Sequence, residues 1–270
     1  VTPILALSLD GIGRLDKQRA GTIEDRVNPI VLIPARLAST RLPNKPLAEI
    51  GGVAMIVHVL RRGLEAGIGP VAVACGDAEI AAAVRAEGGV AVMTDPGLPS
   101  GSDRIFAALR EIDPAGRYDV VINLQGDLPT IPPAMLQAVL APLRAPAFDI
   151  ATLVAPVGSA TEAAAASVVK AACAFAEGAE VAPVLYFSRE AVPWGDGPLW
   201  HHIGVYAYRR AALERFVALP ESPLERREKL EQLRALEAGM RIGAARVAEA
   251  PFGVDTAEDL ERARQALRVL

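Results

Sequence analysis

From residue 30 onward, short β-branched runs alternate with longer segments of helical period, and this alternation constrains the sheet the chain can build. Ile30–Pro34, Val71–Cys75, Val90–Met93 and Asp119–Leu124 read as strands. Ala54–Ala66, Asp77–Glu87 and Ser102–Ile112 read as the helices between them, with a further helix from Pro132 to Leu143. In the first helix Ile56, Val59, Leu60 and Leu64 fall on one face. Parallel strands must be joined by a crossover long enough to hold a helix, so strand–helix alternation implies a parallel sheet covered on both faces.

After residue 149 the rhythm changes. Asp149–Ala155, Val168–Phe175, Val184–Ser188, Ile203–Tyr208 and Met240–Ala248 read as strands with few helices between them. Ser222-Pro223-Leu224-Glu225 opens a helix with a capping box and a proline at its first position, and the helix is expected to run to Ala238 and stop at Gly239. A Thr256-x-x-Asp259 box opens the last helix. The expectation is one α/β domain over residues 30–270, with a mostly parallel, mixed sheet flanked by helices and a smaller second-half lobe over the ligand side.

Residues 1–29 read as an N-terminal extension of unknown role. Its apolar stretch Pro3–Leu9 lacks a basic leader and soon meets Asp10, Asp16, Glu24 and Asp25, which argues against a signal peptide. No strand feeds Gly11-Ile12-Gly13, so it is not a dinucleotide fingerprint. Half the residues are apolar (51%), which excludes a disordered or fibrous chain. A net charge of −4 argues against a dedicated nucleic-acid binder. No apolar run is long enough to span a bilayer. The two cysteines, Cys75 and Cys173, stand in neither CxxC nor metal-ligand spacing, so a reducing cytoplasm is the expected compartment.

Positive charge is instead local. Directly after the first strand, the loop to Pro46 packs Arg36, Arg41 and Lys45 among the hydroxyls of Ser39 and Thr40. Such a loop at the carboxyl end of a parallel strand suits a polyanion, and a nucleoside triphosphate is the first expectation. Ser100-Gly101-Ser102-Asp103-Arg104 sits where a loop turns into a helix, so backbone donors and Arg104 can approach a ligand, although such helix starts are common. Asn123-Leu124-Gln125-Gly126-Asp127 leaves the strongest strand; Asp127 fits either a turn aspartate or a ligand to a hard divalent cation beside phosphates. Asp255 fits the N-cap of the last helix, or a second metal carboxylate if the fold brings it opposite Asp127. His201 and His202, adjacent on a strand, point to opposite faces. Glu225, Glu228 and Gln232 share one stripe of the helix opened at Ser222, either a solvated face or one that addresses a polyhydroxylated ligand.

These segments occur together and in order: Pro34 to Pro46, Met55 to Val59, Ser100 to Arg104, Gln125 to Asp127, Leu185 to Arg189, His202 to Tyr206, Ser222 to Glu225 with Leu230 to Arg234, and Gly253 to Thr256. The set resembles the 3-deoxy-manno-octulosonate cytidylyltransferases, or CMP-Kdo synthetases, across residues 30 to 265. The resemblance implies a nucleotidyltransferase-like, Rossmann-type fold, a homodimer, and a Mg2+-dependent reaction of CTP with the sugar acid Kdo that yields CMP-Kdo and pyrophosphate for lipopolysaccharide synthesis. By position, it implies that Arg36, Arg41 and Lys45 hold the triphosphate with Ser39 and Thr40. Pro34, Ala35, Ser100 and Arg104 would address cytosine, and Gln125 would lie near nucleotide and sugar. Asp127 and Asp255 would hold Mg2+, and Arg36 and Lys45 would act with them in catalysis. Arg189, His202, Tyr206, Glu225, Glu228 and Gln232 would meet the sugar.

Several positions depart from the family pattern. Leu128 replaces an acid, Asn44 replaces a glycine, and Ala74-Cys75-Gly76-Asp77 replaces an Ala-Thr-Asp strand end. These departures keep open a cytidylyltransferase for another 2-keto sugar acid, or a diverged non-catalytic nucleotide-binding protein. A GT-A glycosyltransferase is disfavoured because Gln125-Gly126-Asp127 is not an Asp-x-Asp.

Overall fold

The structure, a computed structural model, describes residues 27–38 and 42–268. β1 (Pro29–Ala35) leads through a 3-10 turn, Lys45–Leu47, into a small hairpin, β2 (Glu49–Ile50) and β3 (Val53–Ala54), and then α1 (Met55–Glu65). β4 (Val71–Cys75), α2 (Ala78–Ala86), β5 (Val90–Met93), α3 (Gly101–Ile112) and β6 (Val120–Asn123) follow. The second half runs α4 (Pro133–Ala138), β7 (Ile150–Pro156), α5 (Ala160–Ala164), β8 (Lys170–Cys173), β9 (Val181–Ser188) and β10 (Trp200–Arg209). It ends with α6 (Arg210–Val217), α7 (Pro223–Glu228), α8 (Leu233–Glu237), β11 (Ile242–Arg246) and α9 (Ala257–Leu267).

Nine strands form one sheet in the order β5-β4-β1-β6-β10-β7-β11-β9-β8. The first four are parallel, as the alternation predicts. β10 runs antiparallel between β6 and β7, β11 is parallel to β7, and β9 and β8 are antiparallel additions. A single pairing of His201 with Lys170 joins β10 back to β8, so the second half curls on itself while remaining part of the same sheet.

Both faces are covered. Along β1, Val31 and Ile33 enter the cluster under α1, α2 and α4, while Ile30 and Leu32 enter the opposite cluster under α3 and α6. That is why the strand reads as a continuous apolar run rather than an alternating one. A third, smaller cluster places Leu260 and Ala263 of α9 on Ile50 and Met55, with Val254 buried beside them. The end of the chain is thereby carried next to the loop that bears Lys45.

Three readings are corrected. Leu64 does not join the core face of α1: it is 55% exposed, and Gly63 faces inward instead, where a Cβ would stand 3.0 Å from Val71. The helix expected from Pro132 ends at Ala138 and resumes as a 3-10 turn over Ala141–Arg144. The helix expected from Ser222 to Ala238 is two helices, broken at Lys229, which adopts the left-handed region at φ 57. Tertiary contacts outweigh the pattern here: the Arg189 guanidinium donates to the carbonyls of Glu228 (2.7 Å) and Lys229 (3.3 Å), closing the end of α7 from outside. Glu225, Glu228 and Gln232 therefore do not share a helical stripe. Neither α5 nor α6 was anticipated, although α6 buries Ala212, Leu213 and Phe216 at helical spacing.

Candidate active site

The carboxyl ends of β1, β4, β5 and β6 deliver four loops to one edge of the sheet. The chain moves outward from β1 through β4 to β5 and then returns to the other side of β1 at β6, so the order reverses beside β1. Open α/β sheets bind ligands at such a reversal. A cleft of about 150 Å³ lies there, lined by Pro34, Ala35, Arg36, Ser100, Arg104 and Gln125, with Leu98 and Gly101. The first six are the residues assigned to the nucleotide that fall within the described chain, Lys45 excepted. Ser39, Thr40 and Arg41 lie outside the described residues.

Close approach of backbones builds this cleft. A Cβ on Gly126 would fall 2.9 Å from the Pro34 carbonyl oxygen, so only glycine lets the Gln125–Asp127 loop lie against the end of β1. A Cβ on Gly76 would meet Arg104 Nη1 at 2.9 Å and Arg36 Cβ at 3.2 Å. The unusual glycine after Cys75 thus makes room for two arginines. Arg104 is buried and donates to Thr94 Oγ1 (2.7 Å) and to the carbonyls of Asp95 (3.1 Å) and Pro96 (3.3 Å), which anchors the loop after β5. Burial, and then the neighbouring charge of Arg36, lowers the Arg104 pKa, although a guanidinium stays charged. Two converging cations favour an anion in the cleft. Asp77, not singled out in the sequence, accepts from the Leu37 amide at 2.7 Å and so fixes the start of the basic loop. Its signal was available: like Asp127, it is an acid directly after a strand-end glycine.

Beside the cleft, Lys45 Nζ donates to Asp127 Oδ2 at 2.8 Å and to Asp255 Oδ1 at 3.1 Å. Asn44 enters this turn at φ 54, ψ 29, a left-handed geometry that asparagine tolerates better than most residues, which explains why it can replace the usual glycine. Asp255 arrives because α9 docks on the hairpin and because the Val254 amide donates to the Asp127 carbonyl at 2.9 Å. The N-cap reading of Asp255 is corrected: Thr256 caps α9, accepting from the Asp259 amide. Burial works against the charge on Lys45, but the two aspartates outweigh it and hold its pKa above the ordinary value. Two hard oxygen donors clustered on one cation suit Mg2+, which takes one or two carboxylates and completes its shell with phosphate and water oxygens. Leu128, at the position of the family's acid, packs into the core.

The residues assigned to the sugar lie at the curled part of the sheet. Glu228 accepts from Ser188 Oγ (3.1 Å), the Arg189 amide (3.0 Å) and the Tyr186 hydroxyl (3.4 Å). His202 is buried, with Nε2 3.1 Å from Thr152 Oγ1 and its ring against Phe187 and Tyr206 at 4.7 and 5.5 Å between centroids. Burial, helped by His201, lowers its pKa to about 3, so the ring stays neutral. His201 faces elsewhere and pairs with Glu162 at 2.8 Å. A bulge between Ile203 and Tyr206 brings Gly204 toward Gln125, linking the two halves of the site. Both oxygens of Glu225 bond Arg234, at 2.8 and 2.5 Å, and one also accepts from the Ser222 amide. Glu225 is thereby engaged within the fold, and Gln232 is buried. A larger hollow of about 350 Å³ lies at the opposite end of the sheet, but its arginines are engaged: Arg210 with Asp113, and Arg209 with carbonyls of Leu143, Ala145 and Phe148.

Comparison with known proteins agrees with this geometry. A profile of the cytidylyltransferase family matches residues 30–242. The 3-deoxy-manno-octulosonate cytidylyltransferase of Methylobacterium radiotolerans is 63% identical over 241 residues, covering 89% of this chain and 97% of the relative. That of Rhodospirillum centenum is 61% identical, covering 89% and 93%. A solved CMP:2-keto-3-deoxy-manno-octonic acid synthetase complexed with CTP superposes with a TM-score of 0.81 at 40% identity, over 90% of this chain and 99% of that one. A nucleotidyl transferase from Methanothermobacter, 18% identical with a TM-score of 0.56, shares the fold. This chain belongs to the cytidylyltransferase family, among the 3-deoxy-manno-octulosonate cytidylyltransferases.

Proposed function

We infer that this chain transfers CMP from CTP to the anomeric 2-hydroxyl of Kdo, giving CMP-Kdo and pyrophosphate. The observation that carries the reading is the Lys45 ammonium held by Asp127 and Asp255 beside a cleft lined with Arg36 and Arg104. The hydroxyl oxygen attacks the α-phosphorus, the bond from that phosphorus to the bridging β-phosphate oxygen breaks, pyrophosphate leaves, and the hydroxyl proton is released. Phosphoryl transfer of this kind depends on positioning and charge neutralisation. Arg36 and Lys45 neutralise the triphosphate, the Pro34–Ala35 backbone with Ser100 and Arg104 frames the base, and Gln125 stands where nucleotide and sugar meet.

Asp127 and Asp255 would hold Mg2+, which when bound supplies positive charge against the phosphate oxygens. The chain is expected to act in the cytoplasm, in lipopolysaccharide synthesis; no helix among the described residues is long and apolar enough to cross a membrane. It is expected to pair as a homodimer through its second half, where Leu185 (69% exposed) and Trp194 (99% exposed) are apolar side chains that a second copy would cover. The test of the transfer itself is 31P NMR of a mixture of chain, CTP, Mg2+ and Kdo, with sialic acid in place of Kdo as the control. A phosphodiester signal formed with Kdo supports the reading, and one formed only with sialic acid moves it to another sugar acid.

A further inference from the structure

Thr152 places a hydroxyl in the middle of an apolar strand, between Ala151 and Leu153 of β7, and it is fully buried. A buried hydroxyl needs polar partners. Its place in the sheet supplies them. Leu153 pairs with Ile203 and Thr152 with Tyr206, so Gly204 and Val205 of β10 have no partner on β7 and form the bulge. Thr152 Oγ1 lies 3.1 Å from the Ile203 carbonyl oxygen, 2.9 Å from that of Val205 and 3.1 Å from His202 Nε2. Bulges beside active sites re-aim side chains.

These contacts share a single hydrogen. A threonine hydroxyl carries one donor and two lone pairs, and a carbonyl oxygen can only accept. The hydroxyl hydrogen therefore goes to the carbonyls, and the His202 contact forms only when Nε2 carries a hydrogen and donates it to Oγ1. The hydrogen bond at one ring nitrogen decides the tautomer of the whole ring. A second proton does not intervene, since burial, helped by His201, lowers the ring's pKa to about 3. Nδ1 is then left with a lone pair. Ring contacts with Phe187 and Tyr206, at 4.7 and 5.5 Å between centroids, hold the imidazole plane. Among the described residues, Glu231 Oε1 is the one buried side-chain polar atom without a partner. Nδ1, which no hydrogen bond from those residues engages, is therefore open to solvent rather than sealed in the core.

We propose that Thr152 is a positioning residue that locks His202 as the Nε2–H tautomer, so that Nδ1 accepts a hydrogen bond from a hydroxyl of the sugar acid. The identity of that ligand rests on the transfer reading above. A lone pair at Nδ1 admits a hydroxyl and disfavours a carboxylate, which would need a donor there. The tautomer thereby orients the sugar acid, with a hydroxyl rather than its acid group against β10.

The test combines 15N NMR of the histidine side chains with steady-state kinetics for the parent, Thr152→Val and Thr152→Ser chains. The sequence has 3 histidines, and His202→Gln identifies the signals of His202. Without ligand, the parent and Thr152→Ser should carry the hydrogen on Nε2. Thr152→Val offers Nε2–H no acceptor, so the hydrogen should move to Nδ1. In that variant KM for Kdo should rise about 10-fold while KM for CTP changes about 2-fold or less, and Thr152→Ser should restore the parent values. A parent ring protonated at Nδ1 would overturn the proposal, even if Thr152→Val fails to fold. So would Nε2–H retained in Thr152→Val, or equal rises in both KM values, which a purely structural role in the bulge would give. Pyrophosphate release by the parent reports on the transfer reading separately. If release is absent that reading fails, while the ligand-free tautomer comparison still decides the role of Thr152.

Discussion

Lys45→Met should lower turnover and, at the same time, tighten the binding of a divalent cation to the nucleotide-free chain. The ammonium stands 2.8 Å from Asp127 and 3.1 Å from Asp255, where it satisfies both carboxylates. Both lie on the same nitrogen, so they face one another across about 6 Å or less. With an effective dielectric of about 20, removing the ammonium leaves a mutual repulsion of about 2–3 kcal/mol. Asp255 is 43% exposed, and solvent and salt reduce this to about 1–2 kcal/mol. A divalent cation relieves that repulsion, which corresponds to roughly 5- to 30-fold tighter binding. Methionine keeps an unbranched stem of similar reach without the charge. The assay is a Mn2+ titration followed by electron paramagnetic resonance, beside pyrophosphate release, which should fall about 10²- to 10⁴-fold for loss of a charge on the transferring phosphate. Mn2+ binding that is unchanged or weaker in the variant would refute the argument, since Lys45 would then not compete for the carboxylates.

Asp127→Ala should remove at least about 100-fold of activity while unfolding free energy changes by about 1 kcal/mol or less, because its ion pair is partly exposed; denaturant titration beside turnover checks both. Gly126→Ala should raise the KM for CTP and destabilise the fold by about 1–3 kcal/mol, since its Cβ would meet the Pro34 carbonyl, and wild-type values would show that the loop has room. Asp113→Ala should lower the Tm by roughly 10 °C, because this fully buried carboxylate accepts from the amides of Arg117 and Tyr118 and pairs with Arg210 and Arg117. Acid should unfold the chain in two windows. The folded state keeps His202 neutral to about 3 while the unfolded ring titrates near about 6.5, so the unfolded chain binds the extra proton and stability falls as pH drops between those values. Burial works against the charge on Asp113, but its hydrogen bonds depress its folded pKa, so its contribution is complete above about pH 3.9 and is lost as pH falls through the folded value. Denaturant melts from about pH 7 down to 4 should show the first loss in the parent and a flatter profile in His202→Gln, and parallel profiles would refute the assignment.

Much of the fold was legible because parallel strands buried on both faces write themselves as uninterrupted apolar runs, as Val71–Cys75 does; the edge strand Val90–Met93 is also found as read, although Val90 and Met93 are exposed. Both capping boxes, at Ser222 and Thr256, form as their side-chain chemistry demands. The break at Lys229 was not legible, since lysine carries no turn signal and the cause is Arg189, 40 residues away. Within the site, residue types announced a phosphate-binding edge, but the meeting of Lys45 with carboxylates 82 and 210 residues distant is a product of the α9 docking and leaves no trace in local spacing. Gly76, read as a departure, is a packing requirement of Arg104 and Arg36.

The most direct measurement is pyrophosphate release by the purified chain with CTP, Mg2+ and Kdo, with Asp127→Ala run in parallel. The site predicts Kdo-dependent release that the variant largely loses. CTP binding without release in the parent, whichever sugar is offered, would contradict it and leave a nucleotide-binding protein in place of an enzyme.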